Sequence, residues 1–390
     1  MKKIIFGITG LTLGGAERVL VDISNRLVEK YDVTIFTIYA KGELEKELNS
    51  RIHLISLYNS RYDELKGLKK KLIPLKVLFS KKRIFRKYID NGDYFAQIAF
   101  LEGAITRIFS VKSKKDTNKI AWIHNDISKV FGKGIKSKLK RILDRNAYEK
   151  YDTITFVSMD NLDKFNKVYD DMDLPHETVI NNYINSERIL ELAEDRITEG
   201  DEELFKTKEP IFVQVSRLVE QKAIDRLIKV HSKLIKEGQK HRFIVVGDGP
   251  LKEKLEEQIL AEGVSDSFKL IGARVNPYPY IKEADYLCLF SKFEGYPMVI
   301  EEGKILRKYI LATNTATREA LINYPEYNQI VDNSEDGIEK AIKFAIENKK
   351  IIQELDNKYI YDNEKIINKI IKIIEENKKH PDRIGKIERT

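Results

Sequence analysis

The pattern of apolar residues constrains this chain more than any other feature. It switches between short β-branched runs and segments of helical period, and the alternation restarts past the midpoint. Residues 3–8 read as a strand, 16–29 as a helix with Val19, Leu20, Ile23 and Leu27 on one face, and 33–38 as the next strand. The second series runs strand 211–215, helix 224–236, strand 243–247, helix 251–261, strand 268–271 and strand 286–290. Such alternation specifies parallel α/β layers, and its duplication within 390 residues specifies two domains. We place them at 1–190 and 205–365, with the polar stretch 191–210 as the connection and hinge.

Charge is divided unequally between the halves. Residues 1–190 carry 35 Lys and Arg against 24 Asp and Glu, while the whole chain has a formal charge of only +8, so the second half is slightly acidic. The excess is concentrated in residues 51–150, with 25 basic and 9 acidic side chains. Within them, 66–87 mixes ten cations with Leu, Ile, Val and Phe and holds no acid. That mixture suits an anionic membrane surface; a solvated charge run around core-facing apolar residues is the alternative. No reader motif accompanies it, so no nucleic-acid partner is expected.

The single Cys288 excludes an internal disulfide and a thiolate pair for zinc, and its apolar surroundings mark it as a packing residue in a reducing compartment. Lys2 and Lys3 followed by an uncharged run imitate a short signal peptide, but Gly7, Thr9, Gly10, Thr12, Gly14 and Gly15 break that run, and a first strand with its loop explains it better. No stretch reaches the roughly 18 apolar residues that span a bilayer. The expected place is the cytoplasm, with the inner face of the cell membrane open as a peripheral site.

In open α/β sheets ligands bind beyond the carboxyl ends of strands, so four loops are informative. The first, Gly10 to Arg18, opens a helix, where unpaired amides favour an anion; its spacing is not the dinucleotide fingerprint, and a purely structural turn is an equal alternative. In the second, Ser216 to Lys222, Arg217 and Lys222 can converge on one diphosphate, although basic loop residues are also common on ordinary surfaces. The third, Val246 to Leu251, is adequately explained as strand-turn-helix punctuation, with a nucleotide-facing loop as the other reading. In the fourth, Ser291 to Gly303, Pro297 fits the first helical position, the amides of Met298 and Val299 would face a phosphate, and Glu294 and Glu302 flank them. Adjacent Glu301 points about 100° away and is expected at an exposed or packing edge.

With these loops assembled, the sequence resembles the retaining family 4 glycosyltransferases of GT-B fold. The carriers are Glu294 and Glu302 with seven residues between them, the preceding Asn276-Pro277-Tyr278 and Ala284-Asp285, and Arg217 and Lys222 five positions apart. The resemblance implies two Rossmann-like parallel-sheet domains facing across a cleft, the first for acceptor and the second for donor, with a C-terminal helix at about 365–390 able to pack back on the first. It implies that Arg217 and Lys222 bind the donor diphosphate, Glu302 the nucleotide ribose and Glu294 the donor sugar. The loop at Gly14 and Gly15 would lie against the donor phosphate or the acceptor, and His124 near the sugar. Departures from the family pattern occur at Thr315 to Glu319, Ile180 to Asn185 and Lys308 to Ile310.

The activity so implied is transfer of a hexose or N-acetylhexosamine from a nucleotide diphosphate sugar, with UDP the expected nucleotide, to a growing glycan or lipid-linked acceptor. The enzyme would retain anomeric configuration and need neither metal nor other cofactor. The only Asp-x-Asp, Asp171-Met172-Asp173, falls in a polar loop, not at a strand end. Two rival readings remain: a catalytically silent partner that stabilises another transferase, and a sugar-nucleotide epimerase on the same fold. Oligomeric state, donor sugar and acceptor are not legible.

Overall fold

The computed structural model describes residues 1–376 except 63, 66, 131–134, 171, 173 and 174. The chain forms two compact units: Met1–Tyr183 with the segment beginning at Asn363, and Ile184–Asp362. The first holds a seven-stranded sheet of β1 (Lys3–Ile8), β2 (Asp32–Tyr39), β3 (His53–Tyr58), β4 (Ala96–Ala99), β5 (Asn118–Ile123), β6 (Thr153–Phe156) and β7 (His176–Val179). Every pairing is parallel, in the order β3-β2-β1-β4-β5-β6-β7.

The second unit holds β8 (Ile211–Val215), β9 (Arg242–Val246), β10 (Phe268–Leu270), β11 (Tyr286–Leu289), β12 (Tyr309–Thr313) and β13 (Asn328–Val331), also parallel, in the order β10-β9-β8-β11-β12-β13. Strand periodicity sorts its core. Phe212, Phe243, Val245, Tyr286 and Cys288 pack on one face with Leu227, Ile228 and Ile342. Ile211, Val213, Ile244, Val246, Leu287 and Leu289 pack on the other with Ile281, Ile300 and Leu321. Both faces are covered, so the strands are apolar throughout, as parallel sheets require. Cys288 is fully buried, which pushes its thiol pKa well up.

The chain crosses between units at Tyr183–Ile184 and again at Asp362–Asn363. The expected connection at 191–210 therefore belongs to the second unit, and its polar residues have partners there: Asp201 accepts from Arg274 at 2.7 Å and from the Tyr280 hydroxyl at 2.6 Å. The charge in this stretch takes part in ion pairs on the surface of that unit, Asp201 with Arg274 and Glu194 with Lys282. The helix Asn363–Glu375 returns to the first unit, where the Asn118 side-chain amide donates to the Ile373 carbonyl at 2.8 Å and the Tyr31 hydroxyl to Glu375 at 2.7 Å. The rest of the expected C-terminal helix, beyond residue 376, lies outside the described residues.

Each sheet reverses its winding beside its first strand. β1 lies between β2 and β4, and β8 between β9 and β11, which makes the loops after β1, β4, β8 and β11 the walls of the two crevices where such sheets bind ligands.

Candidate functional site

In the second unit the loops after β8 and β11 are stitched together at the winding reversal. Lys292 donates its amide to the Gln221 carbonyl at 2.8 Å, and the Gln221 side-chain amide donates to the Phe293 carbonyl at 2.9 Å and to Glu294 at 3.3 Å. Within this clasp the Lys222 ammonium meets the buried Glu294 carboxylate at 2.6 Å. Two residues 72 positions apart thus form one charged pair. Lys222 is followed by Ala223, whose left-handed backbone (φ 51°) lets the loop turn into the helix Ile224–Lys236. A residue with a Cβ there carries strain, of the kind retained where the local geometry is needed. Arg217 stands on the same loop, exposed, with its guanidinium unpaired among the described residues.

The third loop is a buttress for the second. A Cβ on Gly249 would come within 2.5 Å of the Leu218 carbonyl oxygen, and one on Gly247 within 1.9 Å of the Ser216 oxygen. The Leu218 amide donates to the Asp248 carbonyl at 2.9 Å in that contact. Glycine is required because two backbones touch, which agrees with the structural reading of this turn.

Downstream of Glu294, the helix Met298–Ile305 starts one residue later than expected, with Pro297 in the capping position and extended. Its first amides, at Met298 and Val299, have no acceptor within a helix and form an electropositive end. Gly303 lets this helix sit against β11, since a Cβ there would lie 2.2 Å from Leu287. Glu302 is half-buried on it and accepts from the Tyr278 hydroxyl at 3.4 Å. Tyr278 is held in turn by its amide donating to Asn276, whose own side chain donates to the Leu192 carbonyl at 2.7 Å. Glu301 contradicts the expected exposed or edge position: it is buried, with Lys304 and Tyr296 against its carboxylate. The helical wheel gave a direction but not what covers it, namely Tyr359 and, through Lys304, the helix Thr317–Leu321.

The first unit gathers its candidates at its own winding reversal. The loop after β1 has Gly14 extended at the start of the helix Gly15–Leu27, with Gly15 exposed. Arg18 in that helix is committed to Glu47 through two hydrogen bonds, at 2.5 and 2.9 Å. His124 follows β5, its ring 4.6 Å from that of Phe100. Burial lowers its pKa to about 3, so the imidazole is neutral, and its Nε2 has no hydrogen-bond partner among the described residues.

Sequence reasoning missed Glu102, after β4. Its carboxylate accepts the amides of His124 at 2.5 Å and Asn125 at 2.6 Å, and the Asn125 side chain at 3.0 Å. Burial pushes the carboxyl above the usual carboxylate range against the pull of these bonds. Glu102 therefore fixes the backbone that presents His124. No motif marked it; the only available signal was its place in the loop after an apolar strand.

The Asp171-Met172-Asp173 motif is outside the described residues at both aspartates. Of the basic stretch, Lys66 and the side chains of residues 67–71 are likewise outside them. The rest lies on the helix Gly67–Tyr88, where Ile73, Val77, Ile84 and Phe85 enter the core. Leu72, Leu75 and Phe79 remain 44%, 51% and 84% exposed on the other side, beside exposed Lys76, Lys82 and Arg83. No described helix is long and apolar enough to cross a membrane.

Residues 195–366, most of the second unit, match the family described as glycosyl transferases group 1. Over those residues the chain is similar to glycosyltransferases of this family. Among similar proteins are two from Campylobacter jejuni. One, a GalNAc-alpha-(1->4)-GalNAc-alpha-(1->3)-diNAcBac-PP-undecaprenol alpha-1,4-N-acetyl-D-galactosaminyltransferase, is 27% identical over 307 residues, covering 78% of this chain and 77% of its own. The other, an N-acetylgalactosamine-N,N'-diacetylbacillosaminyl-diphospho-undecaprenol 4-alpha-N-acetylgalactosaminyltransferase, is 24% identical over 370 residues, covering 92% and 94%. The crystal structure of Anabaena HepE in complex with UDP superposes with a TM-score of 0.70 at 17% identity, covering 95% of this chain and 98% of that one. The expected GT-B class, two Rossmann-like parallel-sheet domains, is thereby shown for this chain.

Proposed function

We propose that this protein moves a hexose or N-acetylhexosamine from a UDP-sugar to a growing glycan or lipid-linked acceptor, with retention and without a metal. The observation that carries the reading is the Lys222–Glu294 pair, clasped at the winding reversal of the second sheet beside the amino end of the helix Met298–Ile305. There the diphosphate of the donor would take the Lys222 ammonium and the unpaired Arg217, with the helix amides behind it. These groups stabilise the departing UDP as charge develops on it, which is the work a divalent ion does elsewhere. Glu302 offers a carboxylate to the ribose hydroxyls and Glu294 one to the sugar. Glu294 is already an ion-pair partner and not an unengaged nucleophile, which favours same-face attack by the acceptor hydroxyl. His124, neutral and with an unpaired ring nitrogen, suits a hydrogen bond to a sugar hydroxyl.

The two Campylobacter relatives are named for undecaprenol-linked acceptors, and HepE is seen with UDP; these support UDP and a lipid-linked acceptor. The exposed Leu72, Leu75 and Phe79 among cations supports docking on an anionic membrane from the cytoplasmic side.

The test is turnover of the purified protein against a panel of UDP-sugars with undecaprenyl-diphosphate glycans in excess chelator, with the anomeric coupling constant of the product read by NMR. Transfer with the configuration of the donor is expected. Activity that needs Mn²⁺ or Mg²⁺, or an inverted product, would overturn those parts of the reading. Conversion of the UDP-sugar without acceptor would indicate an epimerase, and neither hydrolysis nor transfer a silent partner.

A further inference from the structure

Under the helix Met298–Ile305 lies a charged pair that packing alone does not call for. Glu301 and Lys304 are 2% and 1% exposed. The Lys304 ammonium sits 2.9 Å from one carboxylate oxygen of Glu301 and donates to the other at 3.0 Å. It also donates to the Ala320 carbonyl at 2.8 Å and to the Asn323 side-chain oxygen at 2.8 Å, and lies 4.9 Å from the ring centre of Tyr359. The carboxylate also accepts from the Tyr296 hydroxyl at 2.6 Å, and the Tyr359 side chain hydrogen-bonds to it as well.

Two apolar side chains of the same volume would fill this space without the cost of desolvating two charges, and such replacements often leave stability unchanged or raised. What an apolar pair cannot do is hold a hydroxyl. Tyr296 belongs to the turn Gly295-Tyr296-Pro297, two residues past Glu294 and one before the capping Pro297. Its anchor ties that turn to four places at once: the helix itself, the helix Thr317–Leu321, Asn323, and the strap around Tyr359 that ends where the chain leaves this unit at Asp362.

We propose that Glu301 and Lys304 are positioning residues for the donor: through the Tyr296 hydroxyl they fix the turn that presents Glu294 to Lys222 and aims the first amides of the helix. The proposal rests on the donor-site reading given above. Lys304 supplies the countercharge beside Glu301, Glu301 supplies the acceptor, and Tyr296 converts both into a fixed backbone. The three side chains are engaged with one another and with Ala320 and Asn323, so their effect appears in donor affinity through the turn and not in the acceptor.

The probe is UDP, titrated by calorimetry into the purified protein, alongside thermal melting and the KM for donor and acceptor. Tyr296→Phe removes only the hydroxyl, and Glu301→Leu/Lys304→Met removes the charges at nearly constant volume. Both should melt within a few degrees of wild type yet bind UDP about five- to tenfold more weakly, with donor KM raised in proportion and acceptor KM unmoved. Glu301→Gln/Lys304→Met, which keeps an oxygen for Tyr296, should recover UDP affinity to within about twofold. Wild-type UDP affinity in Glu301→Leu/Lys304→Met would overturn the proposal by showing the pair to be structural only, as would failure of the Gln variant to recover. A wild-type protein that does not bind UDP would overturn the donor-site reading, and the proposal with it.

Discussion

Arg217 and Lys222 share a loop, yet removing them should have different costs. Arg217 is exposed and unpaired, so Arg217→Ala should leave the melting temperature unchanged while turnover falls about ten- to a hundredfold, the effect of losing a charge-assisted contact of roughly 1.5–3 kcal/mol. Glu302→Ala should lose activity to a similar extent. Lys222→Ala differs because it strips the cation from buried Glu294, and breaking a pair in that way costs on the order of 3 kcal/mol of stability. Thermal melts beside steady-state rates separate the two kinds of loss. Undiminished turnover in both Arg217→Ala and Glu302→Ala would remove those residues from the site.

At the level of elements, the buttressing of one loop by another makes Gly249 intolerant. In Gly249→Ala the new Cβ would meet the Leu218 oxygen at 2.5 Å, so the loop carrying Arg217 must move, at about 1–3 kcal/mol. The expected result is a lower urea midpoint together with weaker donor binding.

A second element-level device lies in the opposite core layer. His231, on the helix Ile224–Lys236, has its Nδ1 2.9 Å from Nε2 of His241 just before β9 and its Nε2 2.8 Å from the Ser267 hydroxyl, and His241 Nδ1 is 2.8 Å from the Gln239 carbonyl. The Gln239 carbonyl can only accept, so both rings are satisfied as neutral tautomers, with Ser267 donating to His231 and His231 to His241. Burial lowers the two pKa values to about 2 and about 4. Both lie below the unfolded value near 6.5, so the unfolded chain binds more protons below that pH and stability falls as pH falls. Each ring contributes a loss of about 1.4 kcal/mol per pH unit, or up to roughly 4 kcal/mol for the pair at pH 5. Hydrogen exchange of the helix Ile224–Lys236 at pH 7 and pH 5, corrected for intrinsic rates, reads this loss. Equal protection at both would show that these rings are not held neutral.

For the whole molecule, the segment after Asp362 completes the first unit, not the second. Ile367, Ile370, Ile373 and Ile374 are buried on it, and Asn118 is capped by its carbonyls. Ending the chain at Asp362 should therefore lower the melting temperature seen by fluorescence of Trp122 in the first unit, while exchange protection in the helix Ile224–Lys236 persists. The exposed face of the helix Gly67–Tyr88 predicts salt-sensitive binding to phosphatidylglycerol vesicles but not to neutral ones, since each cation near an anionic surface contributes about 1 kcal/mol. Changing Lys76, Lys82 and Arg83 to Gln should remove the salt-sensitive part, and changing Leu75 and Phe79 to Ser the part that survives salt. Equal sedimentation with both vesicle types would leave this helix an ordinary surface.

The sequence by itself determined the strands and their duplication. Residues 3–8 and 211–215 and the helix 224–236 were legible to the residue, because apolar period is a local property that burial on both sheet faces enforces. It also located the loops at which ligands bind such sheets, since these follow from strand ends. Only the tertiary structure decided what those loops touch. Lys222 and Glu294 are 72 residues apart, and no spacing announces their contact. Glu102 reaches the amides of His124 and Asn125 from another strand end, and Glu301 is buried because elements more than a dozen residues downstream close over it. The connection between units moved from 191–210 to Tyr183–Ile184 for the same reason. A charged stretch looks like a linker until its partners, such as Arg274 for Asp201, are seen in space. Period is written along the chain, whereas pairing depends on which distant residues the completed sheet brings within a few ångströms.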